Sequence, residues 1–350
     1  MAPVSKPSSS RALDAVLPLI ASGQAYEAHQ KARTFASRYA KAQQYDTAID
    51  VLFQSARELL KAGQQGSGID LASFMLDVYD SKGEEVNEES RGRVTQLIAL
   101  TGSSGAWRKT IIDKAVGWSG KHCANPAGDP DLHHYIGELL YKEGVFEAAE
   151  PHYLTSGKRD SARSLAQLYI DWLGDRGNLA AFALRGTIPY LQNGNILAAR
   201  TFVTQYVSQL TSTRPALVST HQSTPIVVRD AQGGPADEIL FTTDPVVNFT
   251  QLAVRTCQRA QGAHNKAMRE AWVRLCGTYQ SKGGLLASKE LRKALIEIAE
   301  IYFAIPPPKT QAANPLGDML SAMFGGAPSG AAPARRVLSP PPAAKLPGLD

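Results

Sequence analysis

The chain has almost no cysteine: three in 350 residues, Cys123, Cys257 and Cys276. An odd number with no C-x-x-C pair argues against a disulfide framework, and reduced thiols are the simple expectation. Long apolar runs are missing as well. No run of about 18 apolar residues occurs, so no transmembrane helix is expected. Met1 to Arg11 is rich in Ser and Pro with no apolar run behind it. That argues against a secretory leader, and Lys6 and Arg11 keep an organellar transit leader as the alternative. Charge of one sign is scarce too. Lys and Arg number 37 against 32 Asp and Glu, a net +5, and the bases form no stripe of the kind nucleic acid requires. The balance suits an acidic protein partner.

Recognisable catalytic and metal-binding patterns are also lacking. Gly102-Ser103-Ser104-Gly105-Ala106-Trp107-Arg108-Lys109-Thr110 resembles a phosphate loop only superficially. The second Gly of such a loop immediately precedes the Lys, whereas Trp107 and Arg108 intervene here, and a Trp blocks approach of backbone to phosphate. An inter-helix turn is the simpler reading. His122-Cys123 with His133-His134 matches no zinc spacing. Adjacent His133 and His134 point apart on a helix, so one buried and one exposed His at a capped helix start is expected. No Ser-His-Asp or Cys-His set is legible. An enzyme, a metal and a cofactor are therefore not expected.

What is present is a repeat. Gly23-Gln24-Ala25-Tyr26-Glu27-Ala28, Gln43-Gln44-Tyr45-Asp46-Thr47-Ala48, Gly144-Val145-Phe146-Glu147-Ala148-Ala149 and Gly194-Asn195-Ile196-Leu197-Ala198-Ala199 share one design. A flexible or polar turn precedes a large apolar residue that anchors the next helix, and a small Ala follows where two backbones approach. Gly at such a turn takes the left-handed conformation that ends a helix. Repetition of this unit predicts a stack of helix pairs, an α-solenoid of the tetratricopeptide-like kind. Solenoids usually bind macromolecules along an extended face.

The helical pattern opens near Arg11, after a Ser8-Ser9-Ser10 capping cluster. Tyr45, Ala48, Ile49, Leu52, Ala56, Leu59 and Leu60 form the clearest stripe. Gly63-Gln64-Gln65-Gly66-Ser67-Gly68 reads as a turn. Asn87 and Asp129 read as helix caps, with Pro130 in the first turn of the second. About a dozen helices are expected in all. One segment departs from this pattern. Pro225-Ile226-Val227-Val228-Arg229 and Glu238-Ile239-Leu240-Phe241-Thr242 flank a turn-forming Asp230-Ala231-Gln232-Gly233-Gly234-Pro235, which predicts an inserted β-hairpin at 225–242. Such a hairpin is marginal alone, so Ile239 and Phe241 are expected to leave apolar area for helices or a partner to cover. Asp244-Pro245 restarts the helices, and Pro306-Pro307-Pro308 ends the last. Leu316, Met319, Leu320, Met323 and Phe324 form a short amphipathic stripe, and a Pro/Ala-rich tail follows. The expected organisation is a disordered 1–10, N-terminal repeats 11–160, C-terminal repeats 161–308 carrying the hairpin, and the segment and tail 309–350.

Tyr26, His29, Gln30, Arg33 and Tyr39 fall on or near one helix face. Their mix of polar and aromatic groups is unlike a core stripe. It reads equally as a solvated face or as an interaction face, because aromatic and Arg side chains anchor many interfaces.

Tyr26-Glu27-Ala28-His29-Gln30, Arg38-Tyr39 and Gly63 to Leu71 resemble the N-terminal signature of the Golgi-to-ER traffic protein 4 family. Gly128-Asp129-Pro130-Asp131-Leu132-His133, Phe249 to Gln258, Ile301 to Lys309 and Gly317-Asp318-Met319-Leu320 agree with it in order. The resemblance, most like a fungal member, covers about Ala25 to Gly326. It implies a cytosolic, all-helical adaptor in delivery of tail-anchored proteins to the endoplasmic reticulum, with no insertion into the membrane itself. The N-terminal repeats of such a protein dock a targeting ATPase of the Golgi-to-ER traffic protein 3 type. The C-terminal repeats and hairpin hold a ubiquitin-like-domain partner of the Golgi-to-ER traffic protein 5 type, which recruits a co-chaperone carrying the client. On that resemblance Tyr26, His29, Gln30, Arg33 and Asp70 face the ATPase, and Ile239, Leu240, Phe241, Phe249 and Leu252 face the ubiquitin-like partner. A generic helical-repeat scaffold of another cytosolic complex is the alternative.

Overall fold

A computed structural model describes residues 9–103, 105–174, 177–228 and 237–307. Among them are fourteen α-helices and two short strands. The helices are α1 (Ser10–Ala21), α2 (Ala25–Lys41), α3 (Tyr45–Lys61), α4 (Gln65–Lys82), α5 (Glu88–Leu100), α6 (Trp107–His122) and α7 (Pro130–Lys142). They continue as α8 (Phe146–Ser156), α9 (Arg159–Leu173), α10 (Leu179–Gln192), α11 (Ile196–Thr213), α12 (Pro245–Gln258), α13 (Lys266–Gln280) and α14 (Lys289–Phe303). Strands β1 (Ile226–Val228) and β2 (Asp237–Ile239) lie between α11 and α12 and pair antiparallel, with Ile226 opposite Ile239. The expected all-α array with one small β insertion is what is found. The expected amphipathic stripe 316–324, the tail and residues 1–8 lie outside the described residues.

The repeat has a common closure. Gly23, Gly63, Gly144 and Gly194 all have positive φ, between 71° and 81°. In each turn the following amide donates back to a carbonyl five residues earlier: Gln24 to Leu19, Gln64 to Leu59, Val145 to Leu140 and Asn195 to Tyr190. This bond satisfies an orphan carbonyl at the helix end. The α2–α3 turn makes the same bond, Gln44 to Tyr39, but places Gln43 at φ 58°. Two residues after the turn residue comes the anchor: Tyr45, Phe146 and Ile196 pack on the core. In the first turn that place is held by Ala25, which leaves Tyr26 75% exposed rather than anchored. The Ala five residues after the turn is buried every time, at Ala28, Ala48, Ala149 and Ala199.

Two local expectations are corrected. Ser9 precedes α1 without capping it; its hydroxyl donates instead to Asp50 on α3. The glycine-rich stretch expected as a turn is mostly helix, because α4 begins at Gln65. Gly68 sits against Leu60, and a Cβ there would lie 2.6 Å from its Cγ. That glycine serves the close crossing of α3 and α4, not a turn. Asn87 does cap α5, in a reciprocal box with Ser90.

Helices pack mostly on their sequence neighbours, with α4 reaching past α5 to α6, and one continuous core runs from Val16 to Phe303. Its largest buried side chains are Trp118 and five tyrosines. A buried phenol needs a partner. Tyr190 donates to the Tyr153 carbonyl at 3.0 Å, Tyr206 to the Leu179 carbonyl at 2.9 Å and Tyr169 to Glu150 at 2.6 Å. The last helix turns back: α14 packs on α10, and Gln192 donates to Glu297 at 2.6 Å.

Candidate functional site

The N-terminal surface is built on α2. Ala28, Ala32 and Ala36 recur every fourth residue and are fully buried, so one side of α2 lies close on its neighbours and the other faces out. His29 and Arg33 reach across to Asp70 on α4. His29 Nε2 lies 2.8 Å from Asp70 Oδ2, and Arg33 donates to the same oxygen. The Arg33 guanidinium also lies 5.5 Å from the centroid of the Phe74 ring. Burial raises the Asp70 carboxyl, and the bonds from His29 and Arg33 more than reverse it, holding it below the usual carboxylate range. The acid therefore stays ionised near neutrality. Beside this cluster runs an open groove of ≈ 490 Å³ whose walls include Tyr26, Gln30, Phe35 and Arg38. Thus three of the five residues named from the sequence share one ion cluster, while Tyr26 and Gln30 line the groove next to it. Phe35, Phe74 and Lys31 were not singled out. Glu27, Lys31 and Phe35 form their own i, i+4 row beside that of Tyr26 and Gln30, and an aromatic in that second row is the available signal.

The C-terminal surface is organised by strand β2. The side-chain amide of Gln251 donates to the Leu240 carbonyl at 2.8 Å and accepts from the Leu240 N–H at 3.1 Å. Asn248 does the same for Thr242, both bonds at 2.8 Å. Helix α12 thereby stands in for a strand, with two side chains supplying the ladder. Asp237 at the start of β2 is buried among arginines: Arg200 at 2.6 Å, Arg255 at 3.0 Å and Arg259 at 3.6 Å. The hairpin is thus keyed to α11 and α12 by charge as well as by hydrogen bonds.

This arrangement corrects the expected exposure. Ile239 is only 5% exposed and Phe249 only 1%. Phe249 packs against Tyr279, ring centroids 5.5 Å apart. Leu240, Phe241 and Leu252 are half-buried. The uncovered apolar side chains are on the other strand, Ile226 at 42% and Val227 at 50% exposure. On β2, Asp237 and Ile239 point inward and Glu238 outward, while β1 is the less covered strand.

Other expected chemistry is placed as follows. His133 is buried and His134 half-buried rather than exposed, bonded to Ser161 at 2.9 Å. His133 Nε2 donates to the Ala127 carbonyl at 3.0 Å, so its Nδ1 accepts from His152 Nδ1 at 2.9 Å. Among the described residues no group of three or more His, Cys, Asp or Glu is placed to hold a metal. Burial pushes the Cys276 thiol up to about 12 and the Cys257 thiol well above its ordinary value, which disfavours either thiolate. In the phosphate-loop lookalike, Trp107 opens α6 and Arg108 is buried, donating to the Thr101 carbonyl at 2.9 Å and to Glu143 at 2.9 Å. No helix among the described residues is long and apolar enough to cross a membrane.

Residues 42–324 match the model of a family described as Golgi to ER traffic protein 4. The chain is 32% identical to the Golgi to ER traffic protein 4 of Aspergillus fumigatus, over 93% of this chain and 95% of that one. It is 28% identical to that of Schizosaccharomyces pombe, over 87% and 92%, and 23% identical to the Homo sapiens homolog, over 87% and 83%. A crystal structure of C. therm. Get4 superposes with a TM-score of 0.75 at 30% identity, covering 95% of this chain and 99% of the other.

Proposed function

Because the chain belongs to the Golgi to ER traffic protein 4 family, we propose that it is a cytosolic adaptor bridging two proteins during delivery of tail-anchored clients to the endoplasmic reticulum. In this reading repeats 11–160 dock a targeting ATPase through Tyr26, His29, Gln30, Arg33 and Asp70. Repeats 161–308 with the hairpin hold a ubiquitin-like-domain partner, which brings a client-loaded co-chaperone. The observation that carries it is the contrast in chemistry between two separate surfaces. The α2–α4 face offers exposed charge of both signs around one exposed Tyr. The hairpin offers an apolar outer strand, Ile226 and Val227. Charged rims steer encounter and register and suit transient contact, whereas desolvated apolar area suits a lasting one.

Both contacts are testable on one purified chain by calorimetry. Arg33→Glu places like charge beside Asp70 and is expected to weaken ATPase binding about tenfold or more, roughly 1.4 kcal/mol per decade. It is expected to leave the ubiquitin-like partner bound. Ile226→Asp with Val227→Asp is expected to do the reverse, without loss of helix, since both side chains are already exposed. Unchanged ATPase affinity in the first variant would remove the α2–α4 face from the site. Unchanged partner affinity in the second would remove β1.

A further inference from the structure

Helix α13 is the least covered in the array: Trp272 is its single fully buried residue. On its outer side Lys266, Arg269, Glu270, Val273 and Arg274 line an open groove of ≈ 540 Å³, and Ile305 closes one wall. Val273 is 60% exposed, and Ile301, one turn before Ile305 in the chain, is 50% exposed. The groove itself thus carries the apolar Val273 and Ile305 among mostly basic side chains, with Ile301 a further exposed apolar residue on α14. Among the described residues the ion pair there is Lys266 with Glu270, at 3.8 Å.

The chain leaves α14 at this groove, passing Ile305 into Pro306-Pro307-Pro308. Beyond lie Leu316, Met319, Leu320, Met323 and Phe324 at helical spacing, on one face. Their stretch carries a single charge, Asp318. Pro308 to Leu316 spans at most roughly 28 Å when extended, longer than α13 itself at about 22 Å, so every part of the groove is in reach. A tether this short gives an effective concentration on the order of millimolar. Similarity to the family also runs on past α14 and ends at residue 324, with this stripe.

We propose that residues Leu316 to Phe324 dock in the α13 groove of their own chain, apolar face on Val273, Ile301 and Ile305, with Asp318 toward Arg269 and Arg274. The segment then acts as a built-in occupant, and any protein that uses the α13 face must displace it. This holds whichever partners the two surfaces above receive.

Hydrogen exchange on the full chain tests it. In Leu320→Asp with Met323→Asp, peptides from Lys266 to Gln280 are expected to exchange about tenfold faster than in the wild type, while peptides from α3 stay unchanged. Val273→Asp, at an exposed site, is expected to accelerate exchange in the 316–324 peptide by a similar factor. Asp318→Lys is expected to give a smaller acceleration that disappears at high salt. No change at α13 in the first variant, or none at 316–324 in the second, overturns the proposal. So does protection that grows on concentrating the sample together with a doubled particle mass, which would make the occupant a second copy.

Discussion

In the first four helices small side chains bring the backbones close around larger ones such as Leu52, Leu59 and Tyr79. Ala28, Ala32, Ala36, Ala48, Ala56 and Ala72 are fully buried, and Gly68 admits Leu60 where a methyl group would collide. At the other end the hairpin and α12 bury a carboxylate among three arginines, and two side-chain amides complete a strand. The first region is specified by shape, the second by matched polar groups. Shape packing tolerates change in proportion to volume. A buried polar network fails when any one member is lost, because the others remain desolvated. The two ends of the array should therefore respond differently to comparable substitutions.

The largest effect is expected at the charged end. Asp237→Ala takes the shared carboxylate from the buried Arg255 and the half-buried Arg200 and Arg259, at a cost of about 3–5 kcal/mol. Denaturant melts should show the loss, and hydrogen exchange should place it in α11, α12 and the hairpin while α1–α4 keep their protection. Equal loss of protection throughout would mean that the ends are not independent.

Acid sharpens the comparison at the middle of the array. Burial and the neighbouring His133 push His152 down to about 4, and burial lowers His133 as well. The unfolded chain binds these protons first, so stability is full above the ordinary histidine value of about 6.5 and falls as pH drops toward about 4. A loss on the order of 2–3 kcal/mol is expected across that window. Melts at a series of pH values should show it, and His152→Asn should flatten the curve. A curve that is flat in the wild type would refute the neutral histidine pair.

The smallest effect belongs to the shape-packed end. Gln43 takes the left-handed conformation that glycine holds in four sister turns. Gln43→Gly relieves roughly 1–2 kcal/mol of backbone strain, offset by greater unfolded-chain freedom of about 0.4–1 kcal/mol. A net gain of roughly 0.5–1 kcal/mol is expected as a small rise in melting temperature. A fall would mean that the Gln43 side chain matters in its own right.

These contrasts explain which parts of the fold were legible beforehand. The turn repeat is local, five or six residues long, and each of its instances appears where the sequence places it. Caps are local too, and Asn87, Asp129 and Asp244 are all found capping. What could not be read is what joins distant residues. Arg200, Arg255 and Arg259 meet at Asp237 only through the fold, and Ser9 forsakes its own helix for Asp50. Helix α12 buries nearly its whole circumference, from Val246 to Cys257, so its pattern could not say whether Phe249 faces a core or a partner. On the α2 face the reading was better. His29 and Arg33 are one turn apart, and a single acid opposite them sufficed to gather them.

The return of α14 onto α10 has a consequence for how the chain is made. Gln192 and Glu297 are 105 residues apart. Helices α1–α4 find their neighbours almost as soon as they leave the ribosome, since each packs on helices next to it in sequence. The clasp between α10 and α14 can close only when synthesis is nearly finished. Until then α10 lacks the part of its cover that α14 supplies, and nascent chains stalled between the two helices should be the species that chaperones hold and proteases clear.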